Sequence, residues 1–174
     1  MRDLALVIRD AHPDEYPHLG ALTVAAFEEY RAGVAPEAWA PYIADLEDVA
    51  GRARSARTLV ALAGGEPVGV VALFPPGPEV PEELPPGTAY IRALATDPAR
   101  RGQGVGRALT QACIEAARAG GHRAIGLMTH EMMSGPRRLY EGLGFREIAT
   151  LTWPVYGRFL VYLLPLEAAG ATQP

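Results

Sequence analysis

Apolar positions change rhythm along the chain, and each change marks a new element. Leu4 to Arg9 is a short apolar run that predicts a first strand. His12-Pro13-Asp14-Glu15 then sets proline and acids in the first turn of a helix. Leu19, Leu22, Ala26 and Phe27 continue that helix at 3.6-residue spacing towards Glu29 and Tyr30, and Gly33 ends it. A second helix starts near Pro36, with Trp39, Tyr42, Ile43, Leu46 and Val49 on one face. Thr58–Ala63 and Val68–Phe74 flank Gly64-Gly65-Glu66-Pro67 and predict a β-hairpin. Pro75 to Gly87 carries six prolines, too many for a strand or helix, and reads as a loop.

Beyond that loop, Thr88–Thr96 is the next strand, and Gly104–Ala119 is a helix with Val105, Leu109, Ala112 and Ala116 on one face. Gly120-Gly121 closes it. Ala124–Thr129 is an apolar strand, a short helix follows around Pro136–Gly142, and strands near Phe145–Leu151 and Arg158–Leu164 finish the pattern. The order β-α-α-β-β-β-α-β-α-β-β predicts an α/β architecture, a mixed sheet flanked by helices. One domain is expected over residues 1–166, with a flexible tail over 167–174.

Composition narrows the chemistry. A chain of 174 residues with 49% hydrophobic and 21% charged residues can bury a core without staples. The net charge of -4 argues against nucleic acid as a partner, since phosphate backbones select a basic face. All 16 basic residues are Arg, so lysine nucleophiles, Schiff bases and phosphate-loop lysines drop out. The single cysteine, Cys113, allows no intramolecular disulfide or cysteine zinc cluster and reads as core. His12, His18 and His122 show no ligand spacing, so no metal site is expected. With neither a signal peptide nor an apolar stretch long enough for a membrane span, a cytoplasmic protein is expected, a homodimer being the commonest oligomer.

The sharpest signal is the run from Arg100 to Arg107, Arg-Arg-Gly-Gln-Gly-Val-Gly-Arg, between the Thr88–Thr96 strand and the following helix. The first amides of a helix have no internal partner and point outward, and the helix dipole adds partial positive charge. Gly102, Gly104 and Gly106 let the backbone approach a phosphate, beside the guanidiniums of Arg100, Arg101 and Arg107. The P-loop pattern fails because Arg107-Ala108 stands where Lys and Ser or Thr are required. The dinucleotide fingerprint fails because its third glycine falls on Arg107 or Leu109. Arg101-x-x-Gly104-x-Gly106 fits a third pattern.

That pattern, after Leu94-Ala95-Thr96-Asp97-Pro98 and before Leu139-Tyr140-Glu141-Gly142-Leu143-Gly144-Phe145, resembles the GCN5-related N-acetyltransferase (GNAT) family. The resemblance implies a largely antiparallel sheet splayed between its fourth and fifth strands, with acetyl-CoA as cosubstrate. It implies that the pyrophosphate lies on Arg101, Gly102, Gln103, Gly104, Val105, Gly106 and Arg107. The backbone at Leu94 and Thr96 would pair with the pantetheine arm, and an amide near Ala95 would meet the carbonyl oxygen. Tyr140 matches the tyrosine that protonates the leaving thiolate, although a half-buried anchor for a short helix is the plainer role.

Two positions depart from the family. Met133 replaces an asparagine that contacts the cofactor, leaving Ser134 either to take over that contact or simply to cap the helix. Tyr90 occupies the position where some members carry a glutamate base. Candidate bases are then His130 and Glu131 past the fifth strand, or Glu28 and Glu29, with His130 favoured; a water-relayed deprotonation needs none of them. Trp39, Tyr42, Trp153 and Tyr156 either line the acceptor pocket or pack the core. The expected function is acetyl transfer to a primary amine of a small molecule or peptide. The alternatives are a non-catalytic acyl-CoA-binding or sensing module and a nucleotide-binding regulator.

Overall fold

The computed structural model describes residues 5–167, so Leu4 and the tail from Ala168 to Pro174 lie outside the described residues. Its strands are β1 (Leu6–Asp10), β2 (Arg57–Ala63), β3 (Glu66–Phe74), β4 (Thr88–Thr96), β5 (Ala124–His130), β6 (Arg146–Trp153) and β7 (Gly157–Pro165). The α-helices are α1 (Tyr16–Phe27), α2 (Pro36–Glu47), α3 (Val49–Arg52), α4 (Val105–Ala119) and α5 (Ser134–Gly142). All strands join one sheet in the order β1-β2-β3-β4-β5-β7-β6, and every pairing is antiparallel except β4 with β5.

Alternation along the strands sends successive side chains to opposite faces. Leu59, Ala61 and Val71 face α4 in one buried cluster, whereas Val60 and Val70 face Leu19, Leu22 and Leu46 of α1 and α2 in another. The helix α4 turns Val105, Leu109, Cys113 and Ala117 inward, each at most 1% exposed. Ala112 and Ala116, expected on the same face as Val105 and Leu109, sit at its edge, partly buried. Gly69 lets α4 settle on β3, because a Cβ there would lie 2.6 Å from Val105. This close seat fixes where α4 begins, and with it the turn before it.

Three local features differ from the sequence reading. The β2–β3 turn uses only Gly64 and Gly65, both at positive φ (60° and 88°), so Glu66 and Pro67 already belong to β3. The first helix ends at Phe27 and tightens into a 3-10 segment over Glu28–Gly33. Val49 leaves α2 and starts the short α3, where Asp48 accepts from the Gly51 amide at 2.8 Å.

The turn into α1 is held by Arg9, which donates to both oxygens of Glu15 at 2.8 and 2.7 Å, while the His12 amide donates to Oε2 at 2.7 Å. The Arg9 guanidinium, seconded by that amide, holds the Glu15 carboxyl down to about 2. A carboxylate lowered in this way adds stability above its unfolded pKa and loses it as pH falls through the folded value. Glu15→Gln is therefore expected to flatten the loss of stability between about pH 4.5 and 2 in urea titrations. The effect should be about 1 kcal/mol, because the pair remains in part exposed to water, which screens it.

Candidate active site

The strands β4 and β5 pair only from Thr88–Ala124 to Ile91–Leu127, after which they part. Beyond Ile91, β4 keeps β3 on one side and faces a gap on the other. A bulge falls at this point: Ala72 opposes Arg92 and Val70 opposes Ala95, leaving Ala93 and Leu94 across from Val71. Ala93 takes φ 53°, the left-handed region that costs a side-chain-bearing residue roughly 1 kcal/mol or more.

The Asp97 amide donates to Val68 O at 2.9 Å, so Asp97 faces β3. By strand alternation Ala95 shares that side, and Thr96 and Leu94 turn their backbone groups to the gap. Of the three residues expected to meet a thioester arm, Leu94 and Thr96 thus carry the free donors. Ala95 lies next to them, with its amide on the β3 side.

The gap widens into a cavity of about 1100 Å3 whose lining runs from Arg100–Arg107 past Leu94–Thr96 to Tyr140, and on to aromatic residues of α2 and the β6–β7 hairpin. At its mouth the chain turns through Gly102 (φ 73°) and Gly104 (φ 82°), and a Cβ on either would meet nothing within 4 Å. Gly104 caps α4, and the first helical bond runs from the Ala108 amide to Gly104 O at 2.9 Å. From Arg101 through Arg107, no backbone amide finds an acceptor among the described residues. Gly106 is different: a Cβ there would sit 3.3 Å from Leu139 and 3.7 Å from Thr96 Oγ1, so it packs the turn against α5. The result is a fixed cradle of unpaired donors at a helix start, the arrangement that receives phosphate.

The cationic side chains divide. Arg100 and Arg107 line the cavity, and neither forms an ion pair among the described residues. Arg101, expected beside the phosphate, is spent elsewhere: it donates to Ala26 O at 2.8 Å and pairs with Glu29 at 2.7 Å. Its side chain straps the turn to the end of α1, and only its backbone is left for an anion. Arg138, on α5, also lines the cavity, and it too forms no ion pair among the described residues. The sequence reading missed Arg138; the signal it offered was an arginine two positions before Tyr140 on the same short helix.

Tyr140 sits on α5 with its ring 5% exposed, edge-on to Phe145 at 5.9 Å between centroids. Burial drives its phenol well above the ordinary range, so it stays protonated at neutral pH. Its hydroxyl has no hydrogen-bond partner among the described residues, yet Tyr140 lines the cavity; the one sealed side-chain oxygen left unpartnered among the described residues, Thr58 Oγ1, lies elsewhere on β2. A proton donor aimed into a cavity without a partner is available to a ligand.

His130 has a different task from the one expected. Its Nε2 lies 3.0 Å from Tyr156 O, which can only accept, and Nδ1 takes the Met132 amide at 3.2 Å. The ring is therefore the Nε2–H tautomer with both nitrogens occupied, 6% exposed and edge-on to Phe159 at 5.0 Å. It ties β5 to the β6–β7 hairpin and has no lone pair to offer an amine. His130→Gln is expected to lower thermal stability while leaving the pH profile of turnover in place.

The other candidate bases are also engaged: Glu131 pairs with Arg158 at 3.5 Å, Glu28 with Arg31 at 3.1 Å, and Glu29 with Arg101. Ser134 is the first residue of α5 and lines the cavity, but the cap position belongs to Met133, whose sulfur accepts from Thr129 Oγ1 at 3.4 Å. Tyr90 is 6% exposed, packs against Phe74 and has its phenol pushed up to about 12 by burial. Cys113 is core, its thiol likewise pushed up to about 12 by burial.

Known proteins share this arrangement. The profile of the acetyltransferase (GNAT) family matches residues 14–145, which contain the glycine turn before α4, the parted strands and Tyr140. Mouse N-acetyltransferase 8 is 31% identical over 117 residues, covering 63% of this chain and 49% of that protein. Rat N-acetyltransferase family 8 member 2 is 33% identical over 90 residues, covering 51% and 38%. The chain thus spans about half or less of the length of the curated relatives it matches.

Among solved structures, a GCN5-related N-acetyltransferase from Kribbella flavida superposes with TM-score 0.69 at 28% identity, covering 93% of this chain and 98% of that one. An acetyltransferase of the GNAT family from Staphylococcus aureus Mu50 superposes with TM-score 0.70, covering 94% and 100%; at 18% identity it speaks for the fold alone. The sheet parted after β4, the open amides before α4 and the profile over most of the chain agree: this protein belongs to the GNAT acetyltransferase family.

Proposed function

We propose that the protein is an acetyl-CoA-dependent N-acetyltransferase that moves an acetyl group to a primary amine by direct attack on the thioester. The observation that carries this reading is the cradle of unpaired amides at Arg101–Arg107, joined by one cavity to the free phenol of Tyr140. Acetyl-CoA bound there supplies the activated acetyl group. The amides of Gly102 to Gly106, with Arg100, Arg107 and Arg138, hold diphosphate charge without reorganising.

Leu94 and Thr96 offer backbone partners to an amide-bearing arm, as an added strand would. Their amides, turned to the gap, would be available to charge developing on the carbonyl oxygen. A new C–N bond forms as the C–S bond breaks. Tyr140 gives its proton to the departing sulfur, and the proton shed by the amine returns through water to Tyr140. No side-chain base is required in this scheme. A non-catalytic acyl-CoA-binding module would have no use for an unpartnered phenol at the far end of the cradle.

Incubation with acetyl-CoA and pooled amines, read by thiol release and by mass spectrometry of products, tests the proposal. Acetylated amine and free CoA in equal amounts are expected. CoA binding without release from any amine would contradict it.

A further inference from the structure

Past Tyr140, the cavity is walled by rings from two sides. Phe27, Tyr30 and Tyr42 come from the α1–α2 side, with Phe27 and Tyr42 6.3 Å apart between centroids. Trp153, Tyr156 and Phe159 come from the β6–β7 hairpin, and Tyr42 and Tyr156 close the wall at 6.2 Å. The hairpin is fixed in place by the bond from His130 to Tyr156 O. Trp153, edge-on to Phe159 at 5.0 Å, nevertheless leaves 38% of its surface exposed among the cavity-lining rings.

Charge at this end is closed. The carboxylates lining the cavity among the described residues are Glu29 and Asp45. Glu29 is taken by Arg101, and Asp45 accepts a hydrogen bond from Arg92. Aromatic faces can hold one ammonium, but no uncompensated carboxylate remains to hold a second or third. The negative charge of the chain as a whole therefore says nothing for a polycationic acceptor.

The missing base adds a separate constraint. With the lining carboxylates paired and His130 occupied, the acceptor must bring its own lone pair. An α-amine, with pKa about 7.8, is roughly one-third neutral at pH 7.5, whereas a lysine-like amine, with pKa about 10.4, is neutral in about one molecule per thousand.

Resting on the acetyltransferase reading, we propose that the acceptor is an α-amine of a singly charged molecule with an aromatic body. The ring packs on this joined aromatic wall beside Trp153, and the neutral amine faces Tyr140. The amine loses one proton as the C–N bond forms, and CoA leaves as the thiol.

The test is kcat/KM at pH 7.5 with phenylalanine amide, alanine amide, phenethylamine and spermidine, with CoA binding measured on the same preparation. Phenylalanine amide is expected to exceed alanine amide by at least about tenfold, because a buried ring is worth that or more. It should exceed phenethylamine, with the gap narrowing as pH rises to 9.5, and spermidine should be the poorest. Trp153→Ala, at an exposed rim position, should shrink the phenylalanine-to-alanine ratio severalfold. Spermidine or alanine amide acetylated as fast as phenylalanine amide would overturn this assignment while leaving the transferase standing. An unchanged ratio in Trp153→Ala would overturn the placement of the ring. CoA binding with no release from any amine would overturn both the acceptor and the transferase.

Discussion

Tyr140→Phe is expected to lower kcat by about a hundredfold or more, the lower end of what a positioned acid contributes, while the KM for acetyl-CoA changes little. The substitution removes only an oxygen. The ring keeps its place against Phe145 and Tyr162, and no protein hydrogen bond is lost because the hydroxyl makes none among the described residues. Stability should therefore hold or rise slightly, and a loss of rate cannot be blamed on unfolding. The pH dependence gives a second readout. Burial raises the phenol pKa above its ordinary value, so the protonated, competent form persists as pH climbs. Wild-type kcat should stay level through about pH 10 as far as this group is concerned. A fall beginning near pH 8 would mean that another group supplies the proton.

The second large effect is expected at Gly104. With φ 82° and open space around the site of a Cβ, Gly104→Ala meets no protein atom but projects a methyl group towards the ligand. The left-handed backbone also costs an alanine roughly 1 kcal/mol or more, so stability falls a little. Gly65→Ala separates the two effects, since Gly65 has φ 88°, equally open surroundings and a place in the β2–β3 turn away from the cavity. Both variants should lose similar stability in denaturant titrations. Gly104→Ala alone should lose at least about tenfold in affinity for CoA by calorimetry. Equal CoA affinity in the two variants would mean that the methyl meets no ligand.

The sequence made the fold legible where periodicity and glycine act together. The apolar stretches placed every strand to within a few residues, and the glycines before α4 marked a turn that in fact needs positive φ at Gly102 and Gly104. The bulge at Ala93 was hidden, because alanine in a left-handed conformation leaves no trace in composition; only the surrounding sheet imposes it. The 3-10 segment after Phe27 was hidden for a similar reason: helical spacing of apolar residues does not distinguish a tight turn from a regular one.

Site residues divided along the same line. The turn of open amides before α4 is backbone, set by local sequence, and it was readable. Side-chain roles set by distant partners were not. Arg101 is drawn away by Ala26 and Glu29, some 70 positions earlier, and His130 is occupied by a carbonyl 26 residues later. In each case a charged or titratable residue beside a motif suggested chemistry, and a long-range hydrogen bond assigned it to holding elements together instead. Arg138 shows the converse, a plain helical arginine brought to the cavity only by the way α5 docks.

The central claim is that open amides before α4 receive a diphosphate, and a crystal structure of the complex with CoA tests it most directly. Pyrophosphate oxygens are expected within about 3 Å of backbone nitrogens between Gly102 and Arg107, with the pantetheine arm alongside Leu94 and Thr96. A complex in which those amides face water while CoA lies elsewhere on the protein would contradict it.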